Sequence, residues 1–85
     1  MIRDSSKVIE PAQIEGWLRE GLACEHVQVQ GDGRHFEAVI VSAAFRGKSR
    51  VQQHQLVYAA LGSRMQADIH ALSMTTLTPE DWARR

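Results

Sequence analysis

Phe45-Arg46-Gly47-Lys48-Ser49-Arg50-Val51-Gln52-Gln53-His54-Gln55-Leu56-Val57-Tyr58-Ala59-Ala60-Leu61 is the stretch whose reading decides the fold. Its first half is a short basic loop around one glycine. Its second half sets Val51, Val57 or Tyr58, and Leu61 at helical spacing, with His54 in the same row. Ser49 stands just before this run and Gln52 follows three residues later, so the hydroxyl can accept from the Gln52 amide while the Gln52 side chain reaches back. The spacing therefore predicts a helix starting at Ser49, with one strand before it and one after it packed on it.

Upstream, Phe36 to Ala43 is rich in β-branched residues and apolar on both faces, the pattern of a central strand. Gly31-Asp32-Gly33-Arg34 precedes it, and two glycines around an aspartate supply the positive φ values of a tight hairpin. Glu25 to Gln30 alternates Val27 and Val29 with His26, Gln28 and Gln30, which predicts a half-buried strand. Further back, Ile14, Trp17, Leu18 and Leu22 form one stripe of a helix that opens at Pro11 and frays at Gly21. Met1 to Ile9 has no period and reads as a flexible terminus.

Downstream, Gly62-Ser63-Arg64 breaks the helix, Met65 to Asp68 has room for one turn, and Ile69 to Leu77 reads as a third strand. Thr78-Pro79-Glu80-Asp81-Trp82 carries a hydroxyl cap, a proline and first-turn acids, the start of a short terminal helix. The order is α-β-β-α-(α)-β-α, an α+β fold with a three-stranded mixed sheet and helices on one face, similar to a type II KH domain. The long crossover lets the second and third strands lie parallel. Residues 10–85 form a single domain after the flexible 1–9 segment.

A chain of 85 residues, 44% hydrophobic, suits one small core and no second domain. Ten basic and ten acidic side chains cancel, which argues against binding nucleic acid by bulk electrostatics. One cysteine, Cys24, allows no internal disulfide, no export leader opens the sequence, and no apolar run is long enough for a membrane span, so a cytoplasmic protein is expected.

There is no complete phosphate loop, no Cys-x-x-Cys and no nucleophile elbow, which points away from an enzyme. The four histidines are the richest source of metal ligands, though none of their spacings is a metal motif. His26 reads as a solvated residue on a polar strand face. His54 reads as a structural, half-buried histidine bonded to backbone. His35 follows the hairpin turn, exposed on a rigid scaffold, and His70 opens the third strand; these two are the candidate ligands. Arg46, Lys48 and Arg50 surround the helix start that Ser49 caps and could meet phosphate there, but with the neutral net charge they read first as a solvated loop. The turn Gly62-Ser63-Arg64-Met65 holds one glycine where a KH clamp uses two, which removes the main warrant for KH-style binding.

Val41-Ser42, Phe45, Gly47, Ser49, His54, Val57-Tyr58, Leu61, Ile69-His70-Ala71-Leu72 and Thr78-Pro79-Glu80-Asp81-Trp82, in this order, resemble the BolA family. The short hairpin running into His35-Phe36 and the closing Trp82-Ala83-Arg84 are most similar to its small bacterial, IbaG-like branch. The resemblance implies a non-enzymatic partner of a monothiol glutaredoxin of the Cys-Gly-Phe-Ser type. Such a protein shares a bridged [2Fe-2S] cluster with that glutaredoxin and glutathione, serves iron-sulfur trafficking or iron and redox sensing, and takes part in stress responses. It implies His70 as the invariant ligand and His35 as the second, with a cluster present only in the complex and an isolated domain that is a monomer or weak dimer. DNA binding and transcriptional regulation, also associated with the family, form the alternative. Gln53-His54-Gln55 stands where relatives commonly carry arginines around the histidine, which weakens that alternative here.

Overall fold

A computed structural model of the chain describes residues 9–64, 69 and 71–84. The elements are α1 (Pro11–Gly21), β1 (His26–Gly31), β2 (His35–Val41), a 3-10 turn (Ala43–Phe45), α2 (Arg50–Leu61), β3 (Ala71–Leu77) and α3 (Pro79–Arg84). The sheet order is β1-β2-β3, antiparallel between β1 and β2 and parallel between β2 and β3. The α+β order and the central position of β2 are as expected from the sequence. The segment 65–68 lies outside the described residues, as does His70.

Each helix begins as its local chemistry dictates. The Ser49 hydroxyl accepts from the Gln52 amide at 3.2 Å, and the Gln52 side chain accepts from the Ser49 amide at 2.9 Å. Thr78 caps α3 by accepting from the Asp81 amide at 3.1 Å. In α1 the Gln13 side chain accepts from the Glu10 amide at 2.7 Å, with proline in the first turn.

The core lies between one sheet face and the pair α1 and α2. Val27, Val29, Phe36, Ala38 and Ile40 meet Ile14, Leu18, Val57 and Leu61 there, with Phe45 plugging one end. Fully burying one such side chain contributes roughly 1.5–3 kcal/mol. Gly21 is more than a fraying end: a Cβ on it would sit 2.9 Å from the backbone and side chain of Ala60, so α1 and α2 approach this closely only because it is glycine. Ile9 belongs to this core at 8% exposure, just before Glu10 and the start of α1.

Two details of α2 depart from expectation. Val51 is 65% exposed and Tyr58 44%, so the inward row runs through Gln53, Val57 and Leu61 instead. Gln53 can hold an inward position because every polar atom of its amide is used. Its nitrogen donates to the carbonyls of Phe45 and Lys48 at 3.2 Å each, and its oxygen accepts from the Thr76 hydroxyl at 2.6 Å. The second strand also stops at Val41, two residues early. Ser42, fully buried, turns the chain by accepting from the Ala44 amide, donating its hydroxyl hydrogen to the Ala23 carbonyl, and donating its own amide to Leu77.

Ser42→Ala is therefore expected to cost about 0.5–1.5 kcal/mol, since it removes both hydrogen bonds of a buried hydroxyl. Ser49→Ala, at an exposed cap, is expected to cost about 0.5–2 kcal/mol. Urea unfolding of both variants measures this; a neutral Ser42→Ala would contradict the role assigned to that hydroxyl.

Candidate functional site

The hairpin between β1 and β2 builds the position of His35. Gly33 takes φ +99°, which a glycine tolerates, while Gly31 is the last residue of β1 and has no positive φ. Gly31 is needed for space: a side chain there would run into the His35 carbonyl and the Phe36 ring. Asp32 closes the turn, its Oδ1 accepting from the amides of Arg34 at 2.9 Å and His35 at 3.0 Å, while its own amide donates to the His35 carbonyl at 3.2 Å. The backbone of His35 is thus held on both its amide and its carbonyl.

Because Phe36 points into the core, His35 points to the other face of the sheet, where it is exposed. It lines an open hollow with Gln30, Gly31, Asp32 and Glu37. Parallel pairing sets His35 opposite Ala71, whose amide donates to the Arg34 carbonyl at 3.1 Å. His70, the other candidate ligand, lies outside the described residues. Its neighbours in the chain are both anchored: Ile69 is buried in the core and Ala71 is in the ladder.

The remaining histidines are elsewhere. His26 is not a solvated residue: its ring stacks on Trp82 with centroids 4.5 Å apart, and its Nε2 is buried with no hydrogen-bond partner among the described residues. It sits at the opposite end of the hairpin, paired with Val41 where His35 lies at the other end of the same strand. His54 is half-buried as expected, yet its Nε2 also has no partner, so the expected bond to backbone is not made there. It lies on α2, across the sheet from His35. Cys24 is half-buried: burial pushes its thiol up, with Arg19 only partly opposing, and its Sγ donates to the Leu18 carbonyl at 3.9 Å. Among the described residues no three His, Cys, Asp or Glu side chains converge to hold a metal.

The basic cluster is broken up. Arg46, itself exposed, pairs with Glu80, with Nε to Oε1 at 3.0 Å and Nη2 to Oε2 at 2.6 Å, which leaves Lys48 and Arg50 as the members of the cluster without an ion pair among the described residues. The guanidinium holds the Glu80 carboxyl below its usual range and fastens α3 to the loop. Sequence reading missed this pair because 34 residues separate its members. The anchoring role of Asp32 was within reach, since an aspartate two and three residues before free amides is the pattern of an Asx turn.

A profile for the BolA-like protein family matches residues 18–81. The acid stress protein IbaG of Escherichia coli K12 is 39% identical over 77 residues, covering 89% of this chain and 92% of that protein. The DNA-binding transcriptional regulator BolA of Haemophilus influenzae is 42% identical over 57 residues, 67% of this chain and 55% of that protein. The solved structure of a BolA homologue from Coxiella burnetii superposes with a TM-score of 0.79 at 44% identity, covering 89% of this chain and 99% of that one.

The turn makes its own prediction. The amides of His35 first, and of Arg34, hold the Asp32 carboxyl below the usual aspartate range. A carboxyl depressed in the folded state adds stability above its unfolded value and loses it as pH falls through the lower folded value. The Arg34 and His35 amide shifts should therefore titrate below the ordinary aspartate range. Asp32→Asn should abolish the titration while keeping both bonds, whereas Asp32→Ala should lose the bonds and expose the two amides to hydrogen exchange. Amide shifts that follow an ordinary carboxyl would contradict the anchor.

Proposed function

This chain belongs to the BolA-like family, and from that premise we propose that it is a non-enzymatic partner of a monothiol glutaredoxin, sharing with it and with glutathione a bridged [2Fe-2S] cluster as cargo. The observation that supports this reading is His35: an exposed imidazole on a backbone held by Asp32, in register with the residue that follows His70. Such a position suits a ligand offered to a partner. A donor that approaches another protein must be accessible, yet its carrier must be fixed before the encounter.

The donor set also suits shared ligation. A [2Fe-2S] cluster takes four ligands, commonly thiolates, and imidazole in their place raises its potential. This chain offers His35 and His70, while partial burial pushes the Cys24 thiol up and away from the thiolate form, so the thiolates come from glutaredoxin and glutathione. Asp32 and the Gly33 turn aim the backbone of His35, and the open hollow around it leaves room for a partner. Acid disfavours the assembly, because an imidazole must be neutral to coordinate.

A second reading, nucleic-acid binding and transcriptional regulation, draws on the Haemophilus relative's name and on the exposed pair Lys48 and Arg50. Arg46, turned to Glu80, weakens it. Duplex DNA is expected to bind weakly at physiological salt; micromolar affinity lost on replacing Arg46, Lys48 and Arg50 by alanine would reverse the ranking.

Mixing the protein with a monothiol glutaredoxin, glutathione, iron and sulfide should give a visible circular dichroism spectrum distinct from that of the glutaredoxin's own cluster. His70→Ala should remove the difference, His35→Ala should leave a cluster that is lost faster, and His54→Ala should leave the spectrum unchanged. If His54→Ala abolished the difference and His70→Ala did not, the ligand assignment would be wrong.

A further inference from the structure

Glu37 is the one Asp, Glu, Lys or Arg in the three strands, and it stands in the central strand on the face turned away from α1 and α2. Glutamate suits strands poorly, and an opposite charge on a neighbouring strand would offset that. The register gives it Gln30 on β1 and Ser73 on β3 instead, both neutral. The next row on the same face is Gln28, Val39 and Thr75. Together these six residues line a trough of about 270 Å³. Val39 is half-buried and the five polar side chains are exposed, with no hydrogen bond or ion pair to any described residue.

The chemistry of the trough says what fits it. An ionised carboxylate only accepts, and the amide oxygen of Gln30 and the hydroxyl of Ser73 can accept on either side of it, each one strand spacing of about 4.8 Å away. A metal ion is a poor match, since no three His, Cys, Asp or Glu side chains converge among the described residues. Nucleic acid is a poor match too, because the carboxylate repels phosphate and the strands carry no lysine or arginine to hold it. A guanidinium matches: it is flat, permanently charged and carries five donors in a fork, whereas the ammonium of lysine is a compact point charge. Its aliphatic stem needs an apolar surface, and Val39 offers one in the adjacent row.

Position says whose arginine it is. Glu37 also lines the hollow around His35, which stands one row nearer the hairpin. A protein that brings iron to His35 therefore covers Glu37 as well. We propose that Glu37, flanked by Gln30 and Ser73, receives an arginine side chain of the glutaredoxin that presents the cluster, with carboxylate and guanidinium paired through two hydrogen bonds and the stem laid over Val39. The proposal rests on the shared-cluster reading and adds to it a docking contact that touches no iron. Charge complementarity of this kind selects the partner and fixes its orientation.

Titrating the full chain with a monothiol glutaredoxin that carries its cluster and glutathione, followed by calorimetry and visible circular dichroism, tests the contact. Glu37→Gln keeps the shape of an exposed side chain and removes its charge, so its thermal melt should match the wild type. Its Kd should rise about tenfold and lose much of the wild type's salt dependence, and Glu37→Arg should bind more weakly still. At saturation both complexes should keep a spectrum distinct from that of the glutaredoxin's own cluster, because His35 and His70 are untouched. Each exposed arginine of the glutaredoxin is then changed to glutamate in turn; one such variant should lose affinity for the wild type and recover it with Glu37→Arg. An unchanged Kd for Glu37→Gln, or no arginine that couples to Glu37→Arg, would overturn the contact while a distinct spectrum leaves the shared cluster standing. A wild type that gives no distinct spectrum would overturn the shared cluster, and the contact with it.

Discussion

The parallel pairing of β2 with β3 is the constraint on which the rest of the structure depends. Parallel neighbours cannot be joined by a tight turn, so the chain must leave the end of β2, cross over a sheet face and return to its start. The 3-10 turn, the loop around Gly47 and α2 make that crossing. Its energetics concentrate in a few polar groups. Ser42 ends β2 while bonded to Ala23, Ala44 and Leu77, and Gln53 joins the loop carbonyls of Phe45 and Lys48 to Thr76 on β3. With their hydrogen-bonding atoms satisfied, such groups specify one arrangement where apolar contacts alone would accept several.

From that crossing follows the layout of the functional face. With α1 and α2 on one side of the sheet, the other side is left to His35, Glu37, Ser73 and Thr75 at one end and to the stack of Trp82 on His26 at the other. The row His26, Val41, Leu77 leads directly into α3, and Val41 is fully buried there. Arg46 and Glu80 fasten the same helix. One end of the face is therefore closed by α3, and the other, where the hairpin turns and β3 begins, stays open.

The legible part of this was local. The Ser49–Gln52 box, the Thr78-Pro79 start, the Asp32 hairpin and the alternation in β1 are each encoded within four to six residues and form there, although only Gly33 of the two hairpin glycines takes a positive φ. What escaped depends on distant partners. Val51 fits a helical apolar row as well as Gln53 does, and only the carbonyls of Phe45 and Lys48 with the Thr76 hydroxyl make glutamine the inward residue. His26 looks polar by alternation, yet Trp82 covers it. Arg46 looks free for phosphate until α3 brings Glu80 to it. Of the two candidate ligands, the exposure of His35 was legible from its turn, while the residue it pairs with emerges only from the parallel register.

The central claim is that imidazole from this chain reaches iron in a cluster held jointly with a partner. Pulsed electron paramagnetic resonance of the reduced cluster tests it most directly, using this protein carrying nitrogen-15 in its histidines and an unlabelled glutaredoxin. Strong hyperfine coupling from nitrogen-15, absent when His35 and His70 are both replaced by alanine, is the predicted result. A reduced cluster in the mixed complex that couples to no nitrogen-15 would contradict it.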